Sequence, residues 1–490
     1  MEHVKPISDI VSTMRSNEKQ DVALVTHAYN FAEHAHREQK RYSGAPYFVH
    51  VSAVGLTLAE MGMDAKTISA GLLHDVVEDA HVSEEDLERE FGKEIRFLVD
   101  GVTKLGKLKY RGAERHVESL RKLFVATAKD LRVIIIKLAD RLHNVSTLKY
   151  VPKEKQKRIA LETLEIYAPI ANRLSIGRIK GQLEDFCFPF AYPEEYKKVQ
   201  ELLKAHSKES EKKLEKVYRT IRTELEKNDI HNVHGEFRLK RTYSLYKKLS
   251  RRGMDIDKIY DISAIRVIVP TVSDCYRALG VVHSLWKPLP GRIKDYIAFP
   301  KPNGYQSLHT TIIAGDGGIV EVQLRTPEMD LDAAFGVAAH YAYKEGTGRK
   351  AGGKLPSHLD WVKQISTLEE IADSGEYLDD LRMDFFEDRV FVFTPLGDVI
   401  DLPQDSSPVD FAYAVHSAIG DHCSGATVNN KFVAIDTPLK NGDIVEIITK
   451  KTAKPSSKWL EYAKTTFAKK HIRSYMTHEE EKRRALTRKK

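Results

Sequence analysis

The spacing of hydrophobic residues changes along the chain. Between residues 21 and 196, apolar positions recur every three or four residues, the period of amphipathic helices. One such stripe contains Val25, Ala28, Tyr29 and Ala32, and another contains Leu120, Phe124 and Ala128. A charged amphipathic helix is predicted for residues 194–228. This part of the chain is therefore predicted to be all-α.

After residue 231 the apolar positions alternate, which is typical of strands. Strands are predicted at residues 261–269, 305–313 and 319–325, with helices at 273–285 and 330–343 between and after them. This mixture predicts an α/β or α+β domain, and we favour an α/β domain with a mixed sheet. Further on, a hairpin at residues 389–400, a helix at 409–419 and a strand at 443–449 predict a small β-grasp domain.

These patterns, together with Gly- and Lys-rich residues 345–354, predict the domain organisation of the 490 residues. The predicted domains are an all-α domain at 1–195, an α/β domain at 196–345, a helical connector at 346–385, a β-grasp domain at 386–450, and the start of a basic helical segment at 451–490.

Composition and charge narrow the class of protein. With 42% hydrophobic and 30% charged residues, no apolar run of about 18 residues and no signal-peptide pattern, we expect a cytoplasmic protein without a membrane partner. Three scattered cysteines fit neither a disulfide framework nor a zinc ribbon. Residues 451–490 carry 13 Lys/Arg against 4 Asp/Glu, a net +9, so the remainder of this +7 chain carries −2. The basic excess is therefore predicted to be a tail, either solvated or in contact with RNA.

A first polar cluster occurs within an apolar stretch at residues 71–79. On a continuous helix, His74 would lie over Glu78 and Asp75 over Asp79. Burial of so many ionisable groups favours a divalent transition metal with nitrogen and oxygen ligands. For the isolated pair, a solvated acidic helix end is the alternative. His50 after a Gly/Pro turn and Asp140 at the end of an apolar run add ligands and favour the metal.

A second candidate site combines cations with carboxylates. Residues 238–252 hold seven Lys/Arg and no acid, which alone could be a solvated basic face. However, Glu321 and Gln323 share one face of a predicted strand, and Asp261 opens another strand. Two carboxylates facing a basic cluster suit Mg²⁺ and a triphosphate. Tyr305 can stack a base beside Asn303 and His309, and no P-loop or kinase motif is present.

Longer motifs resemble one known family. HDVVED, DGVTKLGK and KLADRLHN resemble the hydrolase domain of RelA/SpoT homologues, within the HD phosphohydrolase superfamily. GRIKDYIAFPKPNGYQSLHTT and EVQLRT resemble its synthetase domain, while RVFVFTPLGDVIDLP and DFAYAVHSAIGD resemble its TGS domain. The resemblance covers nearly the whole chain, which stops short of the distal regulatory domains of long relatives.

The resemblance implies roles for the first cluster. It implies that an Mn²⁺-type ion is held by His50, His74, Asp75 and Asp140. It implies that Glu78 and Asp79 manage the attacking water. It implies a guanosine pocket lined by Arg41, Arg141 and Asn144. The sequence departs from the family at Tyr42, where a basic residue is common, and at Val51, where proline is usual.

For the second cluster, the resemblance implies transfer of the β,γ-pyrophosphate of ATP to the 3′-hydroxyl of GDP or GTP. The implied ATP contacts are Arg238, Lys240, Ser244 and Lys248. Mg²⁺ would be held by Asp261 and Glu321, with Glu321 also activating the 3′-hydroxyl. Tyr305 would stack guanine. Further predicted substrate contacts are Lys294, Asn303, His309 and Gln323.

These features predict a bifunctional enzyme of the stringent response that makes and hydrolyses (p)ppGpp, because residues 292–295 resemble the RxKD motif of bifunctional members. The sequence leaves two alternatives open. One is a hydrolase with a regulatory nucleotide-binding module in place of the synthetase. The other is a tRNA- or ribosome-binding regulator with vestigial sites. The TGS resemblance implies contact with the 3′ end of uncharged tRNA on the ribosome through His416.

Overall fold

A computed structural model describes residues 3–106, 130–256, 259, 262–301, 303–315, 318–338, 389–440 and 442–487. Asp261, the predicted stripe at 120–128, the end of the predicted helix at 330–343, the Gly/Lys-rich residues and the predicted connector lie outside these ranges. The chain divides into two compact units, Met1–Glu369 and Glu370–Lys490. In the described ranges, no helix is both long and apolar enough to cross a lipid bilayer.

The N-terminal domain is helical, as the periodicity predicts. Its helices are α1 (Ile7–Thr13), α2 (Lys19–Ala35), α3 (Phe48–Glu60), α4 (Ala65–Leu73), α5 (Val76–Asp79), α6 (Glu84–Gly106), α7 (Leu131–Ser146), α8 (Lys153–Glu162), α9 (Ala168–Arg173), α10 (Gly177–Ala191) and α11 (Pro193–Lys227). A π-helical turn, Thr163–Tyr167, joins α8 to α9. The predicted stripe of α2 is buried.

Two buried helices carry polar side chains into the centre of this domain. Asp64 caps α4 by accepting the backbone N–H of Thr67, and Asp130 caps α7 by accepting that of Arg132. Apart from Lys66, α4 is buried throughout, and α7 is buried from residue 133 to residue 140. A polar group on either helix therefore needs a partner inside the protein.

The predicted continuous helix across residues 71–79 is wrong. α4 ends at Leu73, and α5 begins only after a turn at His74 and Asp75. On one helix, adjacent side chains point in different directions and do not face each other. The turn brings the His74 ring to within 3.0 Å of the Asp75 carboxylate. Because the helix is broken here, the side chains of the sequence neighbours His74 and Asp75 face the same point.

The central domain contains a five-stranded mixed sheet of order β1-β2-β5-β4-β3. Its strands are β1 (His234–Leu239), β2 (Ser263–Ile268), β3 (Lys294–Asp295), β4 (Leu308–Ile313) and β5 (Ile319–Arg325). Its helices are α12 (Thr242–Ser250), α13 (Val272–Leu285) and α14 (Pro327–Phe335). Only β2 and β5 pair in parallel. The predicted α/β class is confirmed.

The two faces of this sheet differ in character. Val322 and Leu324 of β5 belong to an apolar core that includes Ile221 of α11 and Val282 of α13. Alternation therefore places the residues between them on the opposite face. On that face Gln323 is paired with His309 of β4. The polar face is the one available for chemistry.

The C-terminal unit consists of small antiparallel sheets and short helices. Its strands are β6 (Arg389–Phe393), β7 (Val399–Pro403), β8 (Cys423–Val428), β9 (Lys431–Val433) and β10 (Val445–Thr449). Its helices are α15 (Pro408–Val415), α16 (Ser417–Asp421), α17 (Trp459–Tyr462) and α18 (Thr466–Thr487). The predicted hairpin and closing strand are present. The helix predicted at 409–419 is wrong as one continuous helix, because the extended backbone of His416 separates α15 from α16.

The expectation that residues 451–490 form a tail is wrong for the first part of this segment. Trp459, Ala468 and Ile472 are buried in one core with Tyr413 of α15. Asp410, fully buried, accepts the backbone N–H groups of residues 464 and 465 at 2.8 Å. The segment carries an apolar face besides its charges, and burial of that face anchors it to the domain.

Two candidate active sites

The N-terminal domain gathers three buried ligand groups at one point. His50 of α3, His74 after α4 and Asp140 of α7 offer donor atoms that all lie within 4.8 Å of one another. Asp140 Oδ1 is 3.3 Å from His50 Nε2 and 3.8 Å from His74 Nε2. Ligands about 2.0–2.2 Å from a common ion lie roughly 3–4.4 Å apart. The spacing fits a transition metal ion.

The imidazole hydrogen bonds also fit a metal site. His74 Nδ1 is 2.8 Å from the carbonyl oxygen of Gly71, and His50 Nδ1 is 2.9 Å from His143 Nδ1. Within the described residues, Nε2 of both rings is buried and makes no hydrogen bond of good geometry, although carboxylate oxygens lie 3.0–3.8 Å away. Buried nitrogens of this kind need a partner, and metal-bound histidines usually donate the other ring N–H to the protein. The residues present therefore fit a divalent cation.

Asp75, the fourth predicted ligand, lies beside the two histidines of this group but is not one of the three residues whose donor atoms are all within 4.8 Å of one another. Its Oδ2 lies 3.0 Å from His74 Nε2 and 3.5 Å from His50 Nε2. Burial lowers the pKa of His74, but Asp75 and Asp140 outweigh burial and raise the pKa to about 10. Burial raises the pKa of Asp75, but His74 and His50 outweigh it and hold the pKa well below its usual value. The electrostatics of the cluster therefore favour positive charge at its centre.

Two side chains that were not predicted from the sequence contact the predicted metal ligands. Lys137 Nζ lies 2.6 Å from Asp140 Oδ2, and both residues are buried. Tyr47 OH lies 2.7 Å from Asp75 Oδ2 and 2.8 Å from Asp79 Oδ2. A lysine three residues before an aspartate on a helix is a usable sequence signal. The Tyr47 contact joins distant segments and has no such local signal.

Only some of the other predicted hydrolase residues lie at the metal cluster. Asn144 donates to Asp140 Oδ1 and accepts from Arg41 at 2.8 Å, so these residues border the metal cluster. The Arg141 guanidinium is instead held by Glu162 at 2.8 Å and lies 4.1 Å from the Tyr167 ring centre. The proposed water-handling residues, Glu78 and Asp79, are both exposed. The departures from the family are an exposed Tyr42 and a Val51 buried in α3.

The second site is a cleft of about 290 Å³ over the polar face of the central sheet. Its predicted lining residues are Arg238, Lys240, Ser244, Lys248, Lys294, His309, Glu321 and Gln323. Its other lining residues are Gly177, Lys180, Gly181, Arg241, Ala264, Tyr296 and Lys301. Glu321 is the acidic residue among seven cationic ones. The cleft is therefore suited to a polyphosphate.

Glu321 is part of a hydrogen-bonded chain across the sheet. Its Oε1 is 2.9 Å from His309 Nδ1, and His309 Nε2 is 2.9 Å from Tyr305 OH. Arg325 donates to the same hydroxyl at 2.6 Å. Burial lowers the pKa of His309, although Glu321 opposes the shift. These hydrogen bonds hold the Glu321 carboxylate in place at the floor of the cleft.

Two predicted nucleotide contacts lie outside the cleft lining. Asn303 donates to the backbone carbonyl of Asn172 in the N-terminal domain. Tyr305 has Lys301 Nζ 4.9 Å and the Arg325 guanidinium 5.1 Å from its ring centre. Stacking of guanine on Tyr305 stays a prediction. Tyr296 lines the cleft and has Lys301 Nζ 4.7 Å from its ring centre.

In the C-terminal unit, His416 is exposed at the start of α16. Its Nδ1 accepts the backbone N–H of Ala418 at 3.1 Å and thereby caps the helix. This position leaves the other edge of the ring as the one that could meet a partner. The contact with RNA that the sequence predicted for His416 stays a prediction.

The fold places a candidate metal site in a helical domain and a candidate polyphosphate site in an α/β domain of the same chain. Family models match in the same order: an HD domain at residues 28–177, a region found in RelA/SpoT proteins at 237–348, and a TGS domain at 390–449. An HD domain implies a divalent metal, in agreement with the His–His–Asp cluster.

Several curated relatives match almost the whole chain. A guanosine-3′,5′-bis(diphosphate) 3′-pyrophosphohydrolase of Aquifex aeolicus is 44% identical over 97% of this chain and 68% of its own length. A GTP pyrophosphokinase of Myxococcus xanthus is 46% identical over 94% and 61%, respectively. The bifunctional (p)ppGpp synthase/hydrolase SpoT of Escherichia coli is 44% identical over 92% and 64%. The chain belongs to the RelA/SpoT homologue family.

These matches confirm the predicted family, the predicted fold classes and the two enzyme classes expected of its members. The chain spans about two thirds of the length of these relatives, between 61% and 68%.

Proposed function

We propose that this chain both hydrolyses (p)ppGpp at the N-terminal site and forms it at the central site. The observation that carries the proposal is the coexistence of two chemically different sites in one chain. One holds buried His50, His74 and Asp140 with Asp75 beside them. The other places one carboxylate, Glu321, in a strongly cationic cleft. A regulator with vestigial sites, or a hydrolase with a regulatory pseudo-synthetase, would not need both sets.

In the proposed hydrolysis, His50, His74, Asp75 and Asp140 would hold Mn²⁺. A bound ion of this kind lowers the pKa of a coordinated water and polarises a phosphate oxygen. Lys137 holds Asp140 Oδ2, which leaves Oδ1 directed at the histidines. Arg41 and Asn144 would orient the guanosine nucleotide, while Glu78 and Asp79 would manage the attacking water. The products are pyrophosphate and GDP or GTP.

In the proposed synthesis, the cations of the cleft bind the ATP phosphates and offset the charge that develops during transfer. Glu321 accepts the proton of the acceptor 3′-hydroxyl, whose oxygen attacks the β-phosphorus of ATP. The bond from that phosphorus to the α-phosphate oxygen breaks, and AMP leaves. His309 holds the Glu321 carboxylate in place. Mg²⁺ would be bound by Glu321 and by Asp261, and would neutralise phosphate charge.

A pair of variants tests whether hydrolysis and synthesis take place at separate sites. We expect His74→Ala to abolish Mn²⁺-dependent release of pyrophosphate from ppGpp while formation of ppGpp from ATP and GDP continues. We expect Glu321→Gln to stop formation while ATP still binds and hydrolysis continues. Both nucleotides are followed by anion-exchange chromatography, with circular dichroism as the control for folding. Equal loss of both activities in a folded variant would contradict two separate sites.

We further propose that the TGS domain contacts uncharged tRNA on the ribosome. Exposed His416 and the basic α18 support this proposal, because phosphate contacts by Lys and Arg dominate RNA affinity. Binding of deacylated tRNA to wild type and to His416→Ala, measured at two salt concentrations, tests it. Equal affinities for the two proteins would remove His416 from the interface.

A further inference from the structure

One wall of the polyphosphate cleft comes from the N-terminal domain. Gly177, Lys180 and Gly181, all in α10, line the cleft together with residues of the central domain. We propose that Lys180 binds the phosphates of the donor nucleoside triphosphate and that Glu184 positions it. This inference rests on the proposed synthetase function and adds a residue that lies far in sequence from the basic stretch.

The Lys180 side chain is held at the edge of the cleft by a buried carboxylate. Its Nζ lies 2.7 Å from Glu184 Oε2, one helical turn further along α10. The Glu184 side chain is 3% exposed, whereas that of Lys180 is 27% exposed. An ammonium group has three donors, and the ion pair uses one of them. Lys180 can therefore keep its partner and still donate to a phosphate oxygen.

The same carboxylate links Lys180 to a predicted ATP contact. Ser244 Oγ lies 3.4 Å from Glu184 Oε2, so both side chains share one anchor atom. Ser244 lies on α12, whose next turn carries Lys248 at the cleft. The shared anchor places Lys180 on the donor side of the cleft.

Close packing fixes α10 against the start of α12. A Cβ atom on Gly181 would lie 2.2 Å from Arg241 Nε, so only glycine permits the observed approach without a shift. Asp185 holds Arg241 by an ion pair of 2.5 Å and lies 3.4 Å from Thr242 Oγ1. Lys180 is thus carried by a helix that packs closely against the start of α12 at the cleft.

A purely structural ion pair is the competing explanation. Exposed pairs spaced four residues apart on a helix contribute little to stability. The Lys180–Glu184 pair differs because Glu184 is buried, so loss of Lys180 alone would leave a buried charge without its cation. A test must therefore separate loss of a phosphate contact from loss of folding.

The test compares Lys180→Gln with the double variant Lys180→Gln/Glu184→Gln, which removes both charges together. Lys180→Arg keeps the cation. Lys197→Gln is the control, since Lys197 of α11 forms an exposed pair with Glu194 at 3.5 Å outside the cleft lining. Binding of a non-hydrolysable ATP analogue with Mg²⁺ is measured by calorimetry, the KM for ATP and for GTP by product formation, and folding by thermal melting.

We expect both variants that lack Lys180 to bind the ATP analogue roughly tenfold more weakly, as loss of one charge-assisted hydrogen bond predicts. Their KM for GTP and their ppGpp hydrolysis should match wild type, and Lys180→Arg should restore ATP binding. Unchanged ATP binding in Lys180→Gln, or full recovery in the double variant, would overturn the inference. Absence of any pyrophosphate transfer by the wild-type chain would instead refute the proposed function.

Discussion

His143 is a side chain whose removal should weaken the metal site without removing a ligand. It lies on α7 three residues after Asp140, and its Nδ1 is 2.9 Å from His50 Nδ1. Burial, together with His50 and Arg41, lowers the pKa of His143 to about 3. At neutral pH the ring is therefore uncharged and can accept a hydrogen bond. If Nε2 of His50 faces the ion, the proton of that ring is on Nδ1. His50 Nδ1 then donates a hydrogen bond to Nδ1 of His143.

The size of the effect follows from this contact. Loss of the partner that orients a metal-bound histidine typically weakens metal binding about 10- to 100-fold. This corresponds to roughly 1.4–2.7 kcal/mol of binding free energy. His143→Ala also leaves the buried N–H of His50 without an acceptor, which costs roughly 1–3 kcal/mol of stability. Metal affinity and stability must therefore be measured separately.

Calorimetric titration with Mn²⁺ measures the affinity directly in wild type, His143→Ala and His143→Asn. Asn offers an oxygen acceptor and should recover part of the loss. His27→Ala is the matched control, because His27 lies in the same domain with 51% of its side chain exposed. The Mn²⁺-dependent increase in unfolding free energy should shrink in parallel, since it depends on the ratio of ion concentration to Kd.

Equal Mn²⁺ affinities in wild type and His143→Ala would refute this reasoning. That result would show that the orientation of His50 is set by packing within α3 and not by its hydrogen bond.

Two further predictions concern other parts of the chain. Burial and neighbouring Lys294 lower the pKa of Lys301 to about 8. A bound polyphosphate favours the charged form of Lys301. We therefore expect nucleotide binding to take up protons near pH 8 and to weaken as the pH rises above 8. Binding heats that do not depend on the ionisation enthalpy of the buffer would exclude this proton uptake. Asp410→Ala removes the buried acceptor of two partly buried backbone N–H groups, and we expect it to destabilise the C-terminal unit by roughly 2–4 kcal/mol. Hydrogen exchange of residues 459–472 checks this, and unchanged protection would argue against it.

The sequence by itself indicated which residues could ligate a metal ion and the chemical character of both candidate sites. Residue type sets the chemistry, and the predicted residues His50, His74 and Asp140 do lie together in the fold. Alternation along residues 319–325 also placed Glu321 and Gln323 on one face, because strand geometry makes every second side chain point the same way. Predictions of this kind depend on local periodicity, which is encoded in neighbouring residues.

The tertiary structure decided what depends on contacts between distant segments. A turn, not a continuous helix, brings His74 and Asp75 together. Tyr47 reaches Asp75 from another part of the chain, and Lys180 reaches the cationic cleft of the central domain from the N-terminal domain. Periodicity indicates which face of an element is buried but not which neighbour covers it. Close packing between domains makes that choice, so these residues became visible only in the folded chain.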